Sequence, residues 1–156
     1  RLLGILRTPE NHDDDTRPHG LADIDALITA AQISGLTVTT KTTGTPVALD
    51  PSLEHAVYRV IQEGLSNAMK HAGDGAQVEI TRQWAPHQLT VSIRSINGVI
   101  TTKAVSGGFG LVGLRERIGV SGGTMHHGPT TTGYLLQATL PTAQAPARIE
   151  SFGDAS

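Results

Sequence analysis

Apolar positions along the chain switch repeatedly between a helical period near 3.6 and the alternation of a strand, and those switches lay out the elements. Leu21, Ile24, Leu27, Ile28 and Ala31 stand at helical spacing, predicting a helix over 21–34 that Gly35 ends. Residues 36–41 alternate and are Thr-rich, as a strand would be. Asp50-Pro51 opens the best-defined element, with Asp as N-cap and Pro at the first helical position. That helix runs to His71 or Ala72, and Gly73 is its natural stop. Strands follow at 77–83 and 89–95, joined by a polar, Pro-broken turn, Trp84-Ala-Pro-His87. Val78 and Ile80 share one face of the first, Val91 and Ile93 one face of the second. A stretch at 97–109 leads into a helix at 110–120, closed by Gly122-Gly123, and 125–127 and 134–140 predict a last strand pair. This order implies an α+β two-layer sandwich, with about five strands in a mixed, mainly antiparallel sheet and about three helices on one face.

The ends behave differently. Residues 1–7 carry an apolar stripe cut off on one side and read as the end of a helix that begins before Arg1. An acidic, Pro/Gly-punctuated linker follows to residue 20, which makes 1–20 a helix end plus linker, 21–141 the folded domain and 142–156 a loose Ala/Pro/polar tail. Asp13, Asp14 and Asp15 read as a solvated charge run, since no further ligand sits nearby at a useful spacing.

Composition narrows the class. The 156 residues suit one domain, and with no Cys neither a disulfide framework nor a Cys-based zinc site is possible. Twelve basic against 14 acidic residues leave a net charge of −2, with no whole-chain basic field for nucleic acid or anionic membrane. No apolar run approaches the roughly 18 residues of a membrane span, and no signal-peptide core opens the chain. The expectation is a soluble, intracellular domain with no direct nucleic-acid partner.

Two segments carry candidate chemistry. In Tyr58-Arg-Val-Ile-Gln-Glu-Gly-Leu-Ser-Asn-Ala-Met-Lys-His71, the residues Val57, Tyr58, Ile61, Leu65, Ala68 and Met69 fall within an arc of roughly 120° that would pack on a sheet. Arg59, Glu63, Asn67, Lys70 and His71 fall on the other side, with Glu63, Asn67 and His71 in one row. A carboxylate, an amide oxygen, an ammonium and an imidazole in such a row suit a Mg²⁺-bound polyphosphate. The alternative is an ordinary solvated face held by Arg59–Glu63 and Glu63–Lys70 ion pairs.

The second segment, Gly107-Gly-Phe-Gly-Leu-Val-Gly-Leu-Arg-Glu-Arg117, contains a G-x-G-x-x-G at Gly108, Gly110 and Gly113. A dinucleotide-binding fingerprint should follow a strand and precede an acidic ribose ligand by about 20 residues. Here a loop precedes it, and no acid occurs between Glu116 and Glu150. The signatures that accompany a protein-kinase glycine loop are also missing. What survives is physical: small residues let backbone close on an anion, and a helix N-terminus offers unpaired N–H groups. A plain Gly-rich surface loop before a helix is the alternative.

Together these segments resemble the ATP-binding catalytic domain of bacterial sensor histidine kinases, in the subfamily that works with LuxR-type response regulators. Residues 58–72 look like that subfamily's N box, residues 108–117 like its G2 box, and residues 133–141 like its closing strand; the match covers 21–141 in order. The resemblance implies a Bergerat-type sandwich holding ATP and Mg²⁺ between the central helix and a mobile lid. It places Mg²⁺ on Asn67, gives Glu63 a part in the catalytic step, and sets Lys70 and His71 near the phosphates. The backbone around Gly108, Phe109, Gly110 and Leu111 would cradle them, and Thr132 falls where the family often has a Thr. It further implies phosphoryl transfer from ATP to a His on a dimerisation domain and relay to a regulator Asp. The parent would be a homodimer, membrane-anchored, with this domain on the cytoplasmic side.

Two departures stand out. The family's G1 box supplies an Asp to the adenine amino group, whereas Ile93-Arg-Ser-Ile-Asn-Gly-Val-Ile100 has no acid. Ser95 sits nearest the Asp position, and Asn97-Gly98 keeps a remnant of the turn. Losing a charged acceptor costs about 1.5–3 kcal/mol, roughly 10- to 100-fold in affinity, so a degenerate, weakly binding regulatory module stays open. So does an anti-sigma-factor Ser kinase on the same fold. Second, none of the seven His fits a phospho-accepting site, so the chain reads as a fragment. His126 and His127 read as surface residues of a strand.

Overall fold

The computed structural model describes residues 20–72, 75–97 and 109–142, with the backbone alone for Phe109 and Gly110. The expected leading helix and linker with Asp13–Asp15, the stop at Gly73, the loop glycines Gly98, Gly107 and Gly108, and the tail from 143 lie outside the described residues.

A 3₁₀ turn, Leu21–Asp23, leads into α1, Ile24–Ile33. Next come β1 (Thr37–Thr43), α2 (Pro51–His71), β2 (Gln77–Ala85) and β3 (Gln88–Ile96). Then α3 (Phe109–Val120), β4 (Thr124–Pro129) and β5 (Gly133–Pro141) complete the described elements. The five strands form one sheet in the order β1-β2-β3-β5-β4. β1 pairs with β2 in parallel, and the other pairs are antiparallel. The expected two-layer sandwich is therefore the observed one.

Local chemistry explains the boundaries. Asp50 caps α2 as anticipated, its carboxylate accepting from the Leu53 N–H at 2.9 Å with Pro51 in the first turn. α3 ends in a Schellman arrangement, with Gly123 N–H donating to Ile118 O and Gly122 N–H to Gly119 O, both at 2.9 Å. Gly122 takes φ of 87°, a backbone state that favours glycine. The β2–β3 turn is shorter than expected. Trp84 and Ala85 pair with Leu89 and Gln88, so only Pro86 and His87 turn the chain. Trp84 keeps strand geometry because its side chain packs against the core, and Pro86 is confined to the one place where no ladder N–H is needed. β4 is likewise longer than the three residues expected, because its whole edge pairs with β5.

The faces of the sheet differ. Val78, Ile80, Val91, Ile93, Leu136, Ala138 and Leu140 are buried on the inner face beneath the helices. On the outer face, Thr90 and Thr139 hydroxyls lie 3.4 Å apart and Gln137 Nε2 donates to Ser92 Oγ at 2.9 Å. That polar ladder needs no cover. β1 contributes only Val38 to the core, as suits an edge strand.

α2 is the central helix, with α1 and α3 packed along it. Its buried set exceeds the predicted arc: Leu53, Ala56, Val60, Gly64, Gln62 and Ser66 are buried too, while Met69 is only partly so. Gly64 explains how close it comes to the sheet. A Cβ there would stand 2.8 Å from Ile93 Cβ and Cγ2 on β3, inside van der Waals contact. Among the described residues no helix is long and apolar enough to cross a membrane.

Two glycine substitutions should therefore act in opposite directions. Gly64→Ala forces α2 off Ile93 and should lower unfolding free energy by about 1–3 kcal/mol in urea titrations. Gly113 is helical, exposed and has nothing within 4 Å of a Cβ. Gly113→Ala should instead raise it by about 0.5–1 kcal/mol.

Candidate functional site

The direction of each α2 side chain follows from the Gly64 contact. At about 100° per residue, Asn67 lies about 60° round the helix from Gly64, and Glu63 about 100° round on the same side. Tyr58 lies about 120° round on the opposite side. The Tyr58 phenol is pushed to higher pKa chiefly by burial and then by the Asp23 carboxylate, which places that side against the turn before α1. The Glu63–Asn67 flank is thus turned away from α1, toward β5, β4 and α3. Along this flank Ala56 and Val60 are buried, Glu63 and Asn67 half-buried, and Lys70 exposed. The flank changes from packed to open at the polar residues.

Position along the sheet follows from the topology. α2 joins two parallel strands, so it runs against β2 and along β3. One turn beyond Gly64, about 5.4 Å, comes the Asn67–Ala68 level. Two residues beyond Ile93, about 6.8 Å, comes Ser95. The polar flank therefore stands over the end of the inner face, where Val78, Ser95 and Tyr134 form one cross-strand row.

Ser95 is buried, and its hydroxyl makes a long 3.5 Å contact with the Tyr134 carbonyl. The Asn97 N–H donates to the Thr132 carbonyl at 2.9 Å, which brings these two sequence candidates together at the same sheet end. Thr132 itself is exposed, and its N–H donates to Thr130 Oγ1 at 3.3 Å. Phe109 and Gly110 form the first turn of α3, where backbone N–H groups lack helical partners. Leu111 is buried, so only its backbone is offered outward. Gly98 and Gly108 lie outside the described residues.

The row is not the ion-paired surface that was the alternative. Arg59 donates to Gln62 Oε1 at 2.7 Å instead of pairing with Glu63. Among the described residues no hydrogen bond or ion pair engages the side chains of Glu63, Asn67 or Lys70. His71 is half-buried; burial first, and the neighbouring Lys70 charge second, push its pKa below the ordinary imidazole value. The site thus presents a carboxylate, an amide, a cation and a neutral imidazole above a buried hydroxyl. Among the described residues no group of three or more His, Asp or Glu could hold a metal. One carboxylate with one amide oxygen suits a hard cation that keeps most of its waters.

Sequence reasoning did not single out Tyr134, whereas His127 is exposed on its strand, as expected. The His127 Nδ1 and the Tyr134 hydroxyl lie 2.7 Å apart on the inner face, with ring centroids 6.2 Å apart. The signal was present: counting back in twos from Leu140, Ala138 and Leu136 puts Tyr134 on the buried side.

No family model matches the chain. It is 32% identical over 143 residues to the signal transduction histidine-protein kinase/phosphatase UhpB of Salmonella typhimurium, covering 90% of this chain and 27% of that protein. It is 30% identical over 129 residues to the sensor histidine kinase YhcY of Bacillus subtilis, covering 80% and 34%. The chain thus spans about a third or less of these curated relatives. Among solved structures it superposes on the catalytic domain of histidine kinase ThkA with a TM-score of 0.61 at 15% identity, covering 81% of this chain and 96% of that one. ThkA in complex with the response regulator TrrA gives 0.57 at 15%, covering 77% and 40%. The fold is that of histidine-kinase catalytic domains, and in sequence the chain is similar to sensor histidine kinases.

His71 offers a direct check on this geometry. Its ring should titrate by NMR below the ordinary value of about 6.5, and Lys70→Met should move the midpoint up only part of the way, since burial is the larger cause. Because the folded chain resists taking this proton, the stability contribution is whole above about pH 6.5 and drains away as pH falls through the depressed midpoint.

Proposed function

We propose that this chain is the ATP-binding catalytic domain of a sensor histidine kinase. The observation that carries the reading is the half-buried Glu63–Asn67 row, its side chains without partners among the described residues, over the buried Ser95 at the end of the inner sheet face. Similarity to UhpB and YhcY and the shared fold support it.

In this reading the polyphosphate lies along the α2 flank, and the base lies toward Ser95, Asn97, Gly98 and Thr132. Lys70 neutralises phosphate charge, while His71, held neutral, donates or accepts a hydrogen bond there. The first N–H groups of α3, around Phe109, Gly110 and Leu111, with Gly108 before them, add anion-binding backbone. Asn67 would hold Mg²⁺ through its amide oxygen, with Glu63 one turn before it; the ion would supply charge neutralisation on the phosphates. A His nitrogen on a dimerisation domain outside this chain attacks the γ-phosphorus and ADP leaves. In this reading Glu63 orients that imidazole through its other nitrogen and takes the proton it sheds. Most of the rate then comes from positioning and electrostatics. The phosphoryl group passes on to an Asp of a LuxR-type response regulator, and the parent protein works as a membrane-anchored homodimer with this domain in the cytoplasm.

A second reading rests on the acid-free stretch 93–100: a regulatory module that binds nucleotide weakly. Calorimetry of this chain with Mg·ATP separates the two. Low-micromolar binding supports the kinase domain, and a millimolar or absent signal supports the module. In the full-length protein, Asn67→Ala should abolish labelling from the γ position of ATP; unchanged labelling would contradict the assignment of Asn67.

A further inference from the structure

We propose that Tyr134, held by His127, reads the six-position amino group of the purine in place of the carboxylate that residues 93–100 lack. The proposal rests on the nucleotide-site reading above and adds to it the residues that choose the base.

Register carries the argument. Tyr134 is the cross-strand partner of Ser95, the residue nearest the missing acid, and both face inward. Of the two positions paired with Ser95, Val78 is apolar, so Tyr134 is the one that carries a polar side chain on this row. The Tyr134 hydroxyl has one polar partner among the described residues, His127 Nδ1 at 2.7 Å, reached across the β4–β5 pair. The rings lie 27° from parallel, so the imidazole fixes the phenol's direction as well as its proton. Burial pushes the Tyr134 pKa up, so the phenol is neutral under ordinary conditions.

With His127 protonated on Nε2, Nδ1 accepts the phenolic proton. The phenolic oxygen then turns its lone pairs to the site as a fixed acceptor. An adenine amino group is a donor and satisfies it. A guanine carbonyl at the same place sets oxygen against oxygen and is disfavoured, while a purine lacking the amino group leaves the acceptor empty. A phenol accepts a weaker hydrogen bond than a carboxylate does, so base selection is retained with reduced affinity.

The test compares Mg·ATP with the Mg complex of purine riboside 5′-triphosphate, which lacks the six-position amino group, by calorimetry on this chain. The wild-type chain should bind ATP about three- to tenfold more tightly than the analogue. Tyr134→Phe should erase that preference while leaving analogue binding unchanged. Should Tyr134→Phe fail to fold, His127→Leu carries the same comparison, since His127 is exposed and its loss frees the phenol to rotate. A folded variant that keeps both wild-type ATP affinity and the preference overturns the role of Tyr134 while leaving the nucleotide site standing. A wild-type chain that binds neither triphosphate overturns the underlying reading, and this proposal with it.

Discussion

The contact of Gly64 with Ile93 sets the direction of every other side chain on α2. With hydrogen in place of a side chain, the helix backbone settles directly on β3, and a Cβ would already stand 2.8 Å from Ile93. Glu63 and Asn67 are one and three residues away, so a shift of the helix at Gly64 moves both. The glycine lies inside the polar segment but serves packing: it decides how close the polar flank of α2 stands to the sheet. Interiors are packed too densely for such a displacement to be absorbed locally.

From that contact the site follows by steps. α2 runs along β3, so the next turn reaches the sheet end, and the rotation from Gly64 turns Asn67 toward β5 rather than toward α1. Apolar residues occupy the same flank up to Val60 and are buried; from Glu63 onward the flank is polar and partly open. Half-buried polar groups without partners are costly unless something satisfies them. A hydrated cation and a polyphosphate have the complementary chemistry. Neutral His71 beside exposed Lys70 fits the same description, a cation at the mouth and a hydrogen-bonding ring further in.

Much of this was legible in the residues. The period of 3.6 in 51–71, the Asp50-Pro51 cap and the alternation in 77–96 located the elements, because each signal is local. Asn67 and Glu63 stood out because a single helix carries them. The sheet end around Ser95 was less legible, since it depends on which strand lies beside β3. The order β3-β5-β4 makes Tyr134 the neighbour of Ser95, across 39 residues of sequence. His127 is the surface histidine its sequence suggests, but its partner Tyr134 could not be read there, because that partner is set by pairing and not by spacing. The limits of the β2–β3 turn also escaped a local reading, because Trp84 is kept in the strand by the core it packs against.

The claim that the α2 flank and the end of the inner sheet face form one nucleotide site is open to a single residue-resolved experiment. Amide NMR shifts of this chain should be followed while a non-hydrolysable Mg·ATP analogue is added. Shifts concentrated at 63–71, 95–97, 109–111 and 132–134, with the outer-face ladder at Thr90, Ser92 and Gln137 unmoved, are the predicted result. Shifts centred on that ladder, or none at saturating nucleotide, would contradict the account.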